Sequence, residues 1–513
     1  MERLSRRDFL KLTSAFAAGT LAHGTLRFIE ARDDRPNIII ILFDALSASN
    51  MSLYGYLRET TPNLSRFAER ATIYHSHYSA GNFTTPGTAS MLTGMYPWKH
   101  RAFNQGGLIK TEMVQNNIYT LLGKNYFRLA FSQNPWPDRL LSQFYDDIDH
   151  FLPSTAYSLR GNKLVSDKLG KDRYLASIAF EEFLFSLNTD IMGSSLLGYL
   201  YKNFALDAIL NTRNNPAYPR GTPEVEGFTT YSNEDIFAGV LRELQDLEER
   251  NEPYFSYFHL FSPHFPYKPG RRYWKLFEDD GFQPVEKPAH PLGPGLSEAE
   301  LLSKRLLYDQ QIAHVDAEIG NIIAKLSEAG VLDHSYLVVT SDHGEIFERG
   351  FYGHGGVFMY EPAIKIPLLI SAPGQSTPHH VYALTSNVDL LPTLLKIAGN
   401  DIPAVLDGQV LPGFGGAENT DRAIYSLYAA ENSVFMPLKK AAISMHKGPY
   451  KLIAYFGYPG YDDVYEFYNL EEDPEEVHDL LERDLIEREL AAFSQLVEEL
   501  HSALAAANRS YER

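Results

Sequence analysis

Two short runs, residues 38–43 (Ile-Ile-Ile-Ile-Leu-Phe) and 336–340 (Tyr-Leu-Val-Val-Thr), are almost wholly apolar and rich in β-branched side chains. Uninterrupted runs of that length predict parallel strands covered by helices on both faces. Residues 233–250 and 306–329 carry a helical period and lead into strands beginning near Pro253 and Tyr336. The alternation of helix and strand over residues 35–150 and 230–400 therefore predicts an α/β domain.

Residues 151–229 break the alternation and read as an insertion rich in aromatic and aliphatic side chains. Glu181, Glu182, Asp190 and Lys202 interrupt it too often for a membrane span, so a helical cap over the site is expected, with membrane-surface contact as the second reading. Residues 404–513 are expected to form a smaller subdomain. Residues 447–456 and 463–469 predict strands of a small antiparallel sheet. Over residues 484–505, Ile486, Leu490, Phe493, Val497, Leu500 and Leu504 recur at alternating steps of four and three, which predicts a helix with one buried stripe. The stripe spans barely three heptads and predicts packing onto its own domain rather than a coiled coil.

Residues 1–30 differ from everything after them. A basic start is followed by an apolar, small-residue run over residues 12–22, the layout of an export signal. Ser5-Arg6-Arg7-Asp8-Phe9-Leu10-Lys11 closely resembles a twin-arginine signal, which implies passage through the twin-arginine translocase and an exported protein: periplasmic, extracellular or on the outer face of the cytoplasmic membrane. Thr20-Leu21-Ala22 is a weak cleavage site, so the segment is either removed or kept as an N-terminal anchor. A net charge of -19 argues against a nucleic-acid partner, which needs a basic face. With no cysteine the chain has neither disulfides nor a lipid-attachment site, and its stability rests on the core that 44% hydrophobic residues supply.

Candidate chemistry gathers where strands end, which is where open α/β sheets bind ligands. Asp44 closes the first strand, and Asp342 with His343 closes the second within Ser341-Asp-His-Gly344. Two carboxylates and an imidazole make a mixed oxygen and nitrogen site for one divalent metal ion, with Zn²⁺ or Mn²⁺ favoured over Ca²⁺ or Mg²⁺ by the imidazole. Thr84 lies among Gly81, Gly87 and Gly94, where the backbone is expected to approach something closely. His264 sits among Pro263, Phe265 and Pro266, and His354 lies in a glycine-flanked loop. His75, His77, His100 and His259 are read as structural.

In these segments, and in their order from about residue 35 to about residue 480, the chain resembles the sulfatases of the alkaline phosphatase superfamily. Thr61-Pro-Asn-Leu-Ser-Arg-Phe-Ala68, residues 253–266 and 308–320, Asp389-Leu-Leu-Pro-Thr393 and residues 468–475 match further family landmarks. The resemblance implies an alkaline-phosphatase-like, mixed and mostly parallel sheet sandwiched by helices. It places the catalytic domain at residues 35–403, with a small C-terminal antiparallel sheet and helix behind it. It also implies Thr84 as nucleophile and metal ligand beside Asp44, Asp342 and His343, with His264 and His354 catalytic.

Departures from the family pattern redirect the expected chemistry. Where typical sulfatases carry Cys or Ser, any residue, Pro, Ser and Arg, this chain reads Thr84-Thr85-Pro86-Gly87-Thr88, so no formylglycine is expected. The family's Gly-Lys-Trp-His stretch is missing, its place taken by something like Gly123-Lys-Asn-Tyr126. Asp316 is followed four residues on by Gly320 rather than the His of two-metal relatives, which favours a single metal. A threonyl ester must be discharged by attack at the central atom, an easier step at phosphorus than at sulfur. The expected reaction is cleavage of a phosphate-type ester (monoester, diester or phosphonate ester) through a covalent Thr84 intermediate. The alternatives are sulfate ester hydrolysis without formylglycine, transfer of phosphoethanolamine or phosphoglycerol to a glycan or lipid, and a binding protein without catalysis. The partner is accordingly a phosphorylated or sulfated small molecule, glycan or lipid head group.

Overall fold

A computed structural model describes residues 35–159, 215–225, 229–250 and 252–511. The N-terminal segment and most of the 151–229 insertion lie outside the described residues. The chain first lays down β1 (Asn37–Phe43), α1 (Pro62–Ala68), β2 (Thr72–Tyr74), α2 (Thr84–Thr93), β3 (Phe127–Ser132) and β4 (His150–Phe151). It continues with α3 (Asn233–Glu248), β5 (Tyr254–Leu260), α4 (Glu298–Glu328), β6 (Ser335–Ser341), β7 (Leu368–Ser371), β8 (His379–Val381) and α5 (Leu390–Ala398). The eight strands form one sheet in the order β8-β2-β7-β6-β1-β5-β3-β4. Only β7 runs against its neighbours β6 and β2, so the sheet is mixed and mostly parallel.

The uniform apolarity of β1 follows from its central place, with β5 and β6 pairing to either side. Ile39, Ile41 and Phe43 pack into the layer of α1, α3 and α4, and Ile38, Ile40 and Leu42 into the opposite layer with α2 and α5. Each fully buried side chain of that size contributes about 1.5–3 kcal/mol. α4 starts at Glu298, ahead of residue 306, because Ser297 and Glu300 form a reciprocal capping box there. Asp316 has a structural task on this helix: it accepts from Asn63 N at 2.8 Å and Leu64 N at 2.9 Å and so caps α1, whose own N-cap Thr61 makes no side-chain bond to the helix start.

Behind this layered body, β9 (Ala423–Tyr428), β10 (Ala441–Lys447), β11 (Tyr450–Phe456) and β12 (Val464–Asn469) form an antiparallel sheet covered by α6 (Glu487–Asn508). The expected stripe on this helix holds at Phe493, Val497, Leu500 and Leu504, which pack on the sheet, but not at its first two residues. Ile486 and Leu490 are 50% and 54% exposed, while Leu496 and Leu500 are buried against the sheet. Ile486 is the residue before the first turn and Leu490 lies in that turn, where the sheet leaves them uncovered. No helix among the described residues is long and apolar enough to cross a membrane.

Candidate active site

Register brings the two acids together. Phe43 pairs with Ser341 and Leu42 with His259, so the next residues along β1 and β6 are Asp44 and Asp342, side by side past the sheet's carboxyl edge. Each carboxylate is fixed through one oxygen. Asp342 Oδ1 accepts from Ala45 N at 3.2 Å and His343 N at 2.9 Å, and Asp44 Oδ2 accepts from Asn134 Nδ2 at 2.5 Å. The other oxygens, Asp44 Oδ1 and Asp342 Oδ2, are buried with no hydrogen-bond partner. Burial pushes both carboxyls up. Asp44 is nonetheless held well below the usual carboxylate range by His264 and by hydrogen bonding to His259. Asp342, buried beside Asp44, is raised well above it.

Two imidazoles face the acids. His343 Nδ1 donates to the Gly344 carbonyl at 2.8 Å, which leaves a lone pair on Nε2, 3.4 Å from Asp44 Oδ1 and 3.6 Å from Asp342 Oδ2. His259 Nε2 lies 3.3 Å from Asp44 Oδ2 and 3.7 Å from Asp342 Oδ2. From the sequence alone His259 is a structural histidine. Instead β5 ends at Leu260, ahead of Pro263 and Pro266, and His259 is the histidine that meets both carboxylates. The Tyr257 hydroxyl lies 2.9 Å from its Nδ1.

Thr84 opens α2 and its Oγ1 stands 3.3 Å from His343 Nε2. The helix start is pressed onto β6: an added Cβ at Gly87 would lie 2.2 Å from the Asp342 carbonyl oxygen, so only glycine allows this approach. Asn387 anchors the same turn, donating to the Gly87 carbonyl at 2.9 Å while its Oδ1 accepts from Ala80 N at 3.1 Å. The positive end of the α2 dipole is thereby aimed at the space in front of Thr84.

Further out, the His354 ring centre is 4.3 Å from that of His343 and 4.8 Å from that of His264. Its Nδ1 lies 3.3 Å from both oxygens of the buried Glu345, so Nε2 is turned away from that acid. Burial lowers the half-buried His264 imidazole, with Asp44 pulling the other way and His354 adding to the drop. Thr84, His264 and His354 share one cavity of about 680 Å³ with Asn134, Trp136, Phe261 and Tyr428. The structure thus places all six expected residues around one crevice and adds Asn134, His259 and Glu345. Gly123–Asn125 does not stand in the site, because it precedes β3; the segment after that strand is Gln133-Asn134-Pro135-Trp136, with Asn134 as both helix N-cap and partner of Asp44.

Two unpartnered buried carboxylate oxygens and a preset imidazole lone pair fit a divalent cation, with Asp44, Asp342 and His343 as its donors. A second acid and histidine group, Glu234, His314 and Glu318, does not fit: Gly270 N donates to His314 Nδ1 at 3.1 Å, so Nε2 carries the proton and donates to Glu234.

Comparison with known proteins agrees with this architecture. The choline-sulfatase of Rhizobium meliloti (strain 1021) is 24% identical over 487 residues, covering 87% of this chain and 83% of its own length. The phosphonate monoester hydrolase of Agrobacterium radiobacter superposes with a TM-score of 0.64 at 19% identity, over 92% of this chain and 96% of that one. A protein solved with its substrate D-glucosamine-2-N,6-O-disulfate does so with a TM-score of 0.64 at 19% identity, over 93% and 99%. A family model described as N-sulphoglucosamine sulphohydrolase, C-terminal, matches residues 348–507, and the model described as Sulfatase matches residues 36–175 and 180–400. That second match takes in every strand of the central sheet and the crevice at its edge, and the chain belongs to the sulfatase family of ester hydrolases.

Proposed function

We propose that the protein cleaves a phosphate-type ester by nucleophilic attack of Thr84. The observation that carries this reading is Thr84 Oγ1 at the start of α2, 3.3 Å from His343 Nε2 and facing the shared cavity. Asp44, Asp342 and His343 would hold one divalent ion, Zn²⁺ or Mn²⁺ by donor type, and that ion would supply a Lewis acid that lowers the pKa of the threonine hydroxyl and offsets charge on the ester. Thr84 Oγ1 releases its proton to solvent and adds to the central atom while the bond to the alcohol oxygen breaks on the opposite side. His264 or His354 gives that oxygen its proton. The α2 N-terminus stabilises charge on the non-bridging oxygens, a task that no arginine after the nucleophile performs here. Water then attacks the central atom of the threonyl ester, the imidazole takes its proton, and Thr84 Oγ1 leaves and regains its proton from solvent.

Hydrolysis of a sulfate ester at the same threonine is the second reading, favoured by the family match and by the choline-sulfatase relative. The two separate in one experiment. Metal-loaded protein is assayed on aryl sulfate, phosphate monoester, phosphodiester and phosphonate ester, and brief reactions are digested for mass spectrometry. A phosphoester preference with a phosphoryl group on the Thr84 peptide supports the first reading. Preference for sulfate supports the second, and turnover that survives Thr84→Ala removes both.

Export through the twin-arginine translocase is proposed on the Arg6-Arg7 signal. Replacing both arginines by lysine is expected to hold the protein in the cytoplasm. Unchanged export would refute that route.

A further inference from the structure

The cavity in front of Thr84 is walled by aromatic rings. Trp136, Phe83, Phe261, Phe265 and Tyr428 line it, and among the described residues no lysine or arginine does. Its carboxylate, Glu224, is only 17% exposed and is bonded to Lys268 Nζ at 3.0 Å, and that lysine also donates to the Thr222 carbonyl.

The main wall is fixed by the same residues that build the site. Trp136 follows Asn134, whose side chain caps the helix beginning at Pro135 and also holds Asp44. The indole lies directly on Gly106, where an added Cβ would stand 2.7 Å from the ring and where φ is +62°. Gly106 N in turn donates to Thr85 Oγ1 at 3.1 Å, beside the nucleophile. A rigid chain of contacts therefore runs from Thr84 through Thr85 and Gly106 to the indole. Across the cavity Phe265 is 44% exposed, and Phe83 meets Tyr428 edge-on at 5.8 Å.

Such walls reward an apolar or aromatic body, and a cation gains from the ring faces. A carboxylate or a second sulfate would lose its water without finding, among the described residues, a lysine or arginine in the lining to pair with, which is costly. We propose that this cavity takes the alcohol half of the ester and selects alcohols with an aromatic or aliphatic body and no negative charge, with Trp136 as the principal specificity residue. The inference rests on the placement of the reacting ester at Thr84 given above. It sets this chain apart from enzymes acting on multiply charged sugars.

Binding to zinc-loaded Thr84→Ala protein tests it without turnover, by calorimetric titration of 4-nitrophenyl sulfate and its ring-carboxylated counterpart. The ring carboxylate is expected to weaken binding by about tenfold or more. Trp136→Ala in that background is expected to weaken 4-nitrophenyl sulfate by about tenfold, Trp136→Phe by clearly less, and neither to alter the carboxylated ester. Equal or tighter binding of the carboxylated ester, or no loss with Trp136→Ala, would overturn the inference. Turnover on the intact enzyme is judged separately: if Thr84→Ala still cleaves esters the nucleophile assignment fails, whatever the binding preference.

Discussion

At the residue scale the crevice is defined by what each side chain has left over. Asp44 and Asp342 each have one oxygen bound within the protein and one that is buried and unpartnered, and His343 is held in the tautomer that leaves Nε2 a lone pair. Removal of the Thr84 hydroxyl in Thr84→Ala is expected to lower kcat by about 10³-fold or more, with Thr84→Ser retaining part of it, read by steady-state kinetics on the best ester found. His259 touches both acids, so His259→Gln is expected to weaken metal affinity by about 10–100-fold in a competitive chelator titration. An unchanged affinity would return that histidine to a purely structural role. Asp44, Thr84, Asp342, His343, His264 and His354 were legible in the sequence because each stands in a motif at a strand end or a glycine-rich turn. Asn134, His259 and Glu345 were not, since their meaning depends on which strands pair: His259 matters only because β5 lies beside β1 at that register.

At the scale of elements, Thr84, the proposed nucleophile, is carried by a helix start that has no side-chain cap of its own and is held by neighbours instead. Gly87 sits under the Asp342 carbonyl and Asn387 binds the Gly87 carbonyl, so α2 and β6 are coupled backbone to backbone. Gly87→Ala is expected to push the two apart, costing about 1–3 kcal/mol in denaturant unfolding and most of the activity. A variant with full activity would show that the helix start adjusts freely. Strands β1 and β6 were readable because both faces are buried, leaving no polar position in their centres. The stripe of α6 is right from Phe493 to Leu504 and wrong only at its start, for the opposite reason. Periodicity gives the spacing of a buried face, but which turns a sheet covers is a tertiary fact, and here Leu496 and Leu500 are covered where Ile486 and Leu490 are not.

For the molecule as a whole, the polar groups buried between the layers set how it responds to acid. His77, His100 and His446 are all but fully buried. Burial lowers His77 and His100 to about 3 and His446 to about 4, with Arg422 and Arg101 adding to the first two. His100 shows why the neutral form is required: its Nδ1 accepts from Ala102 N at 3.0 Å while Nε2 meets Ser90 Oγ at 3.0 Å, a pairing a doubly protonated ring would break. Each histidine binds a proton in the unfolded chain below about pH 6.5 but not in the folded one. Stability therefore rises with pH through that window, is fully present above it, and is lost as pH falls toward 4 and then 3, by at most about 1.4 kcal/mol per group per pH unit. The melting temperature is expected to fall steeply between pH 6.5 and 4, and His100→Asn, which supplies a neutral donor and acceptor, is expected to flatten that slope. An unaltered slope in His77→Asn and His100→Asn together would assign the acid sensitivity to other buried groups, His446 first among them.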